Sequence, residues 1–253
     1  MEFVDAWILR CAEAHVLNWT NGLHHQDPSL NNLTYWPRED NICAALNDWD
    51  LTIDSDARTP QTRTGLVKTG TGPYTATDLL TPAAMRGEVQ HLYRHDLEAF
   101  FYILIWVICC YDEGRRLDPL PKVFTTWTHG TRTACAHGIT SACADSKNTF
   151  LAKGWLELTP IASWGKLAYY IADELRPYFY NFYRATSERE SRWASEKAAA
   201  MFEGNEPPIL DRELDEPRKV WEEFCTIAKK AIGRTVSAQR HQLPPKLGSL
   251  NDG

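Results

Sequence analysis

The chain has 253 residues, of which 43% are hydrophobic, and a formal net charge of −6. This length allows a sizeable buried core, and the composition excludes collagen-like, low-complexity and globally disordered classes. The acidic balance argues against a nucleic-acid partner or an anionic membrane surface. The seven cysteines are an odd number and no basic, apolar leader opens the chain, so we expect reduced thiols in the cytoplasm or nucleus.

The N-terminal part is predicted to form a helix followed by a hairpin. Apolar residues at intervals of three and four predict an amphipathic helix over residues 2–19, which Asn21-Gly22 ends. After a polar loop, residues 33–36 and 42–46 are predicted to pair as a small β-hairpin around a turn at 37–40. The sequence therefore places a loop between the first helix and a pair of strands.

The rest of the chain is predicted to be irregular at first and then helical. Residues 51–81 are rich in Thr, Gly, Asp and Pro, and a long irregular segment of this kind is more often functional than incidental. Asp96 is predicted to cap a helix over residues 97–110 that is apolar on nearly every face, as expected at the centre of a helical core. Further helices are predicted at 166–183, 187–203 and 217–232. We expect residues 233–253 to form a disordered tail.

Polar residues at a regular spacing suggest phosphoryl transfer. Asp27 lies two residues after His25 and five before Asn32, and Asp48 follows the second predicted strand. This reaction needs little covalent chemistry from a protein, but it needs Mg²⁺ on the phosphates and an aligned hydroxyl group. Asp48 and Asn32 would hold metal ions. Asp27 would orient the substrate hydroxyl or accept its proton, and His25 would brace the loop.

Taken alone, this spacing is a weak signal, because a polar loop with a turn aspartate also explains it. The position of the Asp48-Trp49 pair after a hairpin makes the order and spacing more specific. In the order and spacing of these motifs, the sequence resembles the fungal-type protein kinases. The resemblance is carried by His25-Gln26-Asp27 with Asn32, Asn47-Asp48-Trp49-Asp50, Thr69-Gly70-Thr71-Gly72 through Asp78, and Tyr93-Arg94-His95-Asp96.

The resemblance implies a fold, an activity and a set of cofactors. The fold would be a mainly α, protein kinase-like C-terminal lobe with a small β-hairpin over residues 1–232. The activity would be phosphoryl transfer to Ser or Thr of a protein substrate, with ATP and Mg²⁺ as cofactors. We expect neither nucleic acid nor membrane as a partner.

The resemblance also implies roles for individual residues. Thr69-Gly70-Thr71 and Asp78 would lie at the substrate-facing end of an activation segment. Asp78 stands where kinases usually have a glutamate that pairs with an arginine from a following helix. Asp96 would tie the catalytic loop to the central helix. Gln26 replaces the arginine that binds a phosphorylated activation loop in most kinases, so we expect no activation by that route.

The order of the motifs predicts a C-lobe without an N-lobe. A kinase places its glycine-rich loop and phosphate-binding lysine before the catalytic loop, and here only 24 residues precede His25. They suffice for one helix of about 36 Å. Residues 65–68 and 70–75 imitate the missing parts but follow Asp48. We therefore expect impaired ATP binding and an exposed apolar surface that a partner would cover.

Two other functions stay open on the sequence. A truncated or non-catalytic C-lobe would act as an interaction module, because loss of the groups that cradle the phosphates removes most of the positioning on which this chemistry depends. A small-molecule phosphotransferase of the aminoglycoside or choline type shares the spacing around Asp27 and Asp48. Residues 69–80 argue against that enzyme, since it lacks such a segment.

Overall fold

The computed structural model describes residues 10–38, 41–49, 53–54, 72–129, 137–155, 158–206, 208–209 and 215–240. Within these ranges the protein is mainly helical with small antiparallel sheets, which confirms the predicted mainly α class. Thr69, Gly70 and Thr71, predicted for the activation segment, lie outside the described residues, and so do residues 241–253 of the predicted tail.

Short strands occupy mainly the first half of the described chain, and long helices occupy the second. In chain order the elements are α1 (Ala12–Thr20), β1 (Leu23–His24), β2 (Leu33–Arg38), β3 (Asn41–Leu46), β4 (Ile53–Asp54), α2 (Pro82–Met85), α3 (Tyr93–Cys110), β5 (Tyr111–Asp112), β6 (Arg115–Arg116), α4 (Lys122–His129), α5 (His137–Lys153), α6 (Gly165–Glu203) and α7 (Pro217–Arg240). Short 3-10 turns cover Leu30–Asn32, Thr77–Leu80 and Ala162–Trp164. The strands pair as β1 with β4, β2 with β3 and β5 with β6.

Helix α3 lies at the centre of the core. All 18 of its residues are buried, and α1, α6 and α7 pack against it. The ring of Phe101 on α3 stacks on Phe179 of α6, with the ring centroids 4.9 Å apart. Each large apolar side chain buried in this way contributes about 1.5–3 kcal/mol. The prediction of a buried central helix is confirmed.

The predicted N-cap of the central helix is wrong. Helix α3 begins at Tyr93 with Leu92 as its N-cap, and the backbone amide of Leu92 donates to Nδ1 of His95 at 3.1 Å. This bond satisfies a donor at the helix start, as a capping side chain does. Asp96 therefore lies within the first turn, 1% exposed, and its carboxylate is available to other elements of the fold.

The hairpin of β2 and β3 is confirmed, although its turn is shorter than predicted. Pairing runs from Leu33 opposite Leu46 to Arg38 opposite Asn41, so residues 37 and 38 belong to a strand. A proline is tolerated there because a two-stranded sheet has only edge strands. At the other end of the hairpin, this register places residue 32 beside residue 47.

Two predicted helices are a single helix. Helix α6 runs without interruption from Gly165 to Glu203 and contains Pro177. The proline removes one backbone hydrogen bond, which the packing of α6 against α3 and α7 offsets. Residues 184–186, the predicted break, contain neither glycine nor proline. The helix ends at Gly204, whose φ of 72° is the left-handed conformation common after a last turn.

The last helix is longer than predicted. Helix α7 continues to Arg240 instead of ending at residue 232, so part of the predicted tail is helical. None of the helices within the described ranges combines the length and the hydropathy that a bilayer crossing requires. The six cysteines of the described residues are free thiols.

Candidate functional site

The loop between β1 and β2 carries the predicted catalytic residues, and His25 holds it from within. His25 is fully buried. Its Nε2 atom donates to the carbonyl of Asn47 at 2.9 Å, and its Nδ1 atom accepts from the backbone amide of Asp27 at 3.2 Å. These two roles require the neutral ring with the proton on Nε2. Burial lowers the pKa of His25, which favours that neutral form.

Asn32 closes the same loop. The side-chain amide nitrogen of Asn32 donates to the backbone carbonyl of Asp27 at 3.1 Å. The backbone carbonyl of Asn32 accepts from the backbone amide of Asn47 at 2.7 Å. The first bond fixes Asp27 and Asn32 relative to each other, and the second joins the loop to the end of β3. Since the amide nitrogen of Asn32 is used as a donor, its Oδ1 is the side-chain atom left for a ligand.

Asp48 follows β3 in a rare backbone conformation. Its φ is 62°, in the left-handed region, and its side chain is exposed. Such a conformation persists where neighbouring contacts determine it. On one side is the bond of Asn47 to Asn32. On the other, the indole of Trp49 donates to the carbonyl of Leu46 at 2.7 Å. The carboxylate of Asp48 is thus presented from a fixed position at the end of the hairpin.

Asp96 joins the loop to the central helix. One carboxylate oxygen accepts from the backbone amide of Gln26 and from Nε2 of His15, both at 2.9 Å, and the other accepts from Nε2 of His91. Burial alone would raise the pKa of Asp96. The charge of His91 and the hydrogen bonds from both histidines overcome that effect and hold the pKa well below its ordinary value. Gln26 also has a left-handed φ of 68°.

Comparison with known proteins bears on this arrangement. Residues 8–109 match the family model described as Fungal protein kinase. The match covers less than half of the chain and supports the fungal protein kinase family for this region. The matched region contains the loop 25–32, Asp48 and Asp96, that is, every predicted catalytic and metal-binding residue. Neither a curated protein nor a solved structure matches the chain.

Within the matched region, Asp78 forms a buried ion pair. Its Oδ2 accepts from the guanidinium of Arg94 at 2.9 Å, and Arg94 also donates to the hydroxyl of Thr186 on α6 at 3.3 Å. Burial raises the pKa of Asp78, but Nε2 of His95, which lies 3.6 Å from the carboxylate, and the charge of Arg94 outweigh that effect, and the pKa is lowered. The sequence left the arginine unassigned, and the structure places Arg94 of the central helix there.

Glu98, also in the matched region, is a residue to which the sequence assigned no role. It is buried on α3 and accepts two hydrogen bonds from Thr77, one from the backbone amide at 3.0 Å and one from the hydroxyl at 2.9 Å. The hydroxyl of Thr77 also shares a bond of 2.8 Å with that of Tyr102. Burial raises the pKa of Glu98. The available signal was one acidic residue in an otherwise apolar run.

Lys147 is a second residue that the sequence did not single out for a role. It lies on α5, is fully buried, and donates to the carbonyls of Thr75 and Gly72. With Glu98 and Arg94 it fixes the described residues at the end of the predicted activation segment. The structure thus forms two clusters, one around the loop 25–32 and one around residues 72–80.

The predicted metal ligands are two oxygen-bearing side chains, those of Asp48 and Asn32. Within the described ranges, no group of three or more His, Cys, Asp or Glu residues is placed to hold a metal by itself. Asp48 and Asn32 offer oxygen donors, the type that Mg²⁺ prefers, and in phosphoryl-transfer sites phosphate and water oxygens complete its shell. The oxygen donors of Asp48 and Asn32 are therefore of a type that would fit Mg²⁺.

A cavity of about 550 Å³ opens elsewhere, beside Asp78 and Arg94. Its described lining comes from the segment 77–95 and from α5 and α6, with no contribution from the loop 25–32 or from Asp48. This cavity therefore lies apart from the loop that carries the predicted catalytic residues.

Proposed function

We propose that this chain provides the C-terminal lobe of a protein kinase that transfers the γ-phosphoryl group of Mg-ATP to a Ser or Thr hydroxyl of a protein. The hydrogen bond from the Gln26 amide to the buried carboxylate of Asp96, within the fungal protein kinase region, carries the proposal. It attaches a loop of reactive polar residues to the most buried helix of the fold. A rigid attachment of this kind is what a reaction that depends on positioning requires.

Three residues of the loop 25–32, together with Asp48, have roles in the proposed reaction. Asp27 accepts the hydrogen bond of the substrate hydroxyl, aligns its oxygen with the γ-phosphorus, and takes its proton as the new bond forms. His25 and Asn32 keep Asp27 in place through its backbone amide and carbonyl. Asn32 and Asp48 would hold the metal. Bound Mg²⁺ would neutralise the charge that develops on the phosphate oxygens.

The groups that cover a nucleotide are proposed to come from outside the described residues. Within the described ranges, only α1 and β1 precede the loop 25–32, and neither contains a glycine-rich loop or a lysine strand. Exposed apolar side chains lie on α1, β1 and β2. They are Leu17 (54% exposed), Leu23 (41%), Tyr35 (49%) and Trp36 (45%). Such side chains support the proposal that another element packs there.

Titration calorimetry with Mg-ATP tests this function. We expect weak binding, in the millimolar range of about −4 kcal/mol, because the described elements before the loop 25–32 supply neither a glycine-rich loop nor a lysine strand. Binding should disappear in Asp48→Asn and persist in Asp112→Asn, a matched change at an exposed carboxylate on β5. Weak binding that is equal in both variants would contradict the proposed metal site. Micromolar binding that depends on Asp48 would show that the covering groups lie within this chain.

The exposed apolar side chains favour a second candidate, a non-catalytic interaction module. In that case the double variant Tyr35→Ser/Trp36→Ser would lose association with a partner or with itself, while nucleotide binding would be absent from every variant. Light scattering of the wild-type chain should show association that the double variant reduces. A monodisperse wild-type monomer would argue against this candidate.

A further inference from the structure

Lys147 presents a charge in the interior of the fold without a carboxylate in ion-pair contact. Its side chain is 0% exposed. Among the described residues, no carboxylate lies within 4 Å of its ammonium group. An ammonium group buried in this way is strongly disfavoured unless hydrogen bonds replace its lost water. Glu98 acts on this charge only from a longer distance, so other groups must contact the ammonium directly.

Backbone carbonyls and the faces of aromatic rings stabilise the ammonium charge of Lys147. The Nζ atom donates to the carbonyl of Thr75 at 2.6 Å and to that of Gly72 at 3.3 Å. The same atom lies 4.1 Å from the ring centroid of Tyr102 on α3 and 5.2 Å from that of Trp127 on α4. The electron-rich faces of such rings attract a cation. Lys147 thus joins three helices to one stretch of irregular backbone.

That stretch, which we call segment 72–80, is bound by charged side chains at three points. Lys147 donates to the carbonyls of Gly72 and Thr75. Glu98 accepts from the backbone amide and the hydroxyl of Thr77. Arg94 donates to the carboxylate of Asp78. Among the described contacts, Lys147 is the donor to both carbonyls. Before Thr77, Lys147 therefore supplies the side-chain hydrogen bonds to the backbone of the segment, while the buried ring of Tyr74 packs against Trp106 with the centroids 5.9 Å apart.

We propose that Lys147 is a positioning residue, which holds segment 72–80 against α3 and α5 and thereby sets the backbone that a protein substrate meets. The meaning of the segment as a substrate surface rests on the proposed function. The anchoring itself does not, because it follows from the contacts of a buried donor with carbonyls that have no other described donor.

The proposal separates local order from global stability. Lys147→Met keeps the length of the side chain between the two rings but removes every donor. It leaves two carbonyls unsatisfied, and it also removes a buried charge, so the two effects on global stability oppose each other. Within segment 72–80, the substitution only removes hydrogen bonds, so the local order of the segment should decrease. Lys147→Arg retains the donors, and Lys153→Met, on the same helix with an exposed side chain, is the matched control.

Hydrogen exchange of the full chain, followed by mass spectrometry, tests the proposal. In Lys147→Met we expect peptides covering residues 72–80 to exchange roughly tenfold faster, which corresponds to the loss of about one hydrogen bond. Peptides from α3 and the urea midpoint should stay unchanged. Lys147→Arg should lie closer to the wild type than to Lys147→Met, and Lys153→Met should match the wild type.

Three results would overturn the proposal. Segment 72–80 of Lys147→Met could exchange at the wild-type rate, or the whole chain of that variant could exchange faster, as it would if the variant were unfolded. Segment 72–80 of Lys147→Arg could also exchange as fast as that of Lys147→Met. None of these measurements involves nucleotide. A chain that binds no Mg-ATP yet shows the local effect would refute the proposed function and leave the anchoring by Lys147 intact. A chain that binds Mg-ATP through Asp48 but shows no local effect would refute the anchoring and leave the proposed function intact.

Discussion

Replacing Asp96 by asparagine removes the charge of this carboxylate while keeping its shape. The wild-type group accepts three hydrogen bonds, from Gln26, His15 and His91. The amide has one acceptor oxygen, so at least one bond is lost and the remaining ones lose their charge assistance. Hydrogen bonds to a charged group contribute about 1.5–3 kcal/mol and neutral ones about 0.5–1.5 kcal/mol. After allowance for the relieved burial of a charge, we expect a net loss of about 2–4 kcal/mol.

Urea unfolding followed by circular dichroism measures this loss, and hydrogen exchange at the Gln26 amide shows whether the loop is released. The pKa of Asp96 is lowered in the fold, so its contribution is present above the ordinary carboxyl pKa and is lost as the pH falls. The difference between the wild type and Asp96→Asn should therefore shrink below about pH 4. Asp112→Asn should change the free energy of unfolding by less than about 0.5 kcal/mol. A loss for Asp96→Asn as small as that of the control, with the Gln26 amide still protected, would refute this reasoning.

Two further predictions concern segment 72–80. Arg94→Met leaves Asp78 buried without its partner and should cost about 3–5 kcal/mol of unfolding free energy, whereas Arg86→Met, at an exposed ion pair, should change it little; equal effects in urea unfolding would be inconsistent with a buried pair. Glu98 has a raised pKa, so its favourable contribution is lost as the pH rises through that value. The stability of Glu98→Gln relative to wild type should therefore increase from pH 4 to pH 8, and a pH-independent difference would show that Glu98 does not titrate in this way.

The central helix and the hairpin were predictable because their signals are local. An unbroken apolar run can only be satisfied by burial, and alternating strands around a polar turn fix their own pairing. The spacing of His25, Asp27 and Asn32 is also local, since the side chains bond to backbone atoms of their own loop and of the adjoining strand end.

The contacts that organise the site were less accessible from the sequence, because they join distant residues. An aspartate before an apolar run is a good N-cap by local rules. The partners of Asp96, however, include His15, which is 81 residues away, and the N-cap of the helix is Leu92. Lys147 and the carbonyl of Thr75 are 72 residues apart. A buried lysine and an exposed one look alike in a helical sequence, so only the tertiary structure reveals the anchor.

The central claim is that Asp48 and Asn32 form a metal–nucleotide site next to Asp27, and nuclear magnetic resonance with Mn²⁺–ADP tests it most directly. Paramagnetic Mn²⁺ broadens the signals of nearby amides. With millimolar Mn²⁺–ADP we expect broadening at residues 27–32 and 47–49, its loss in Asp48→Asn, and its persistence in Asp112→Asn. Broadening that is absent at these residues, or that is the same in Asp48→Asn as in the wild type, would contradict the claim.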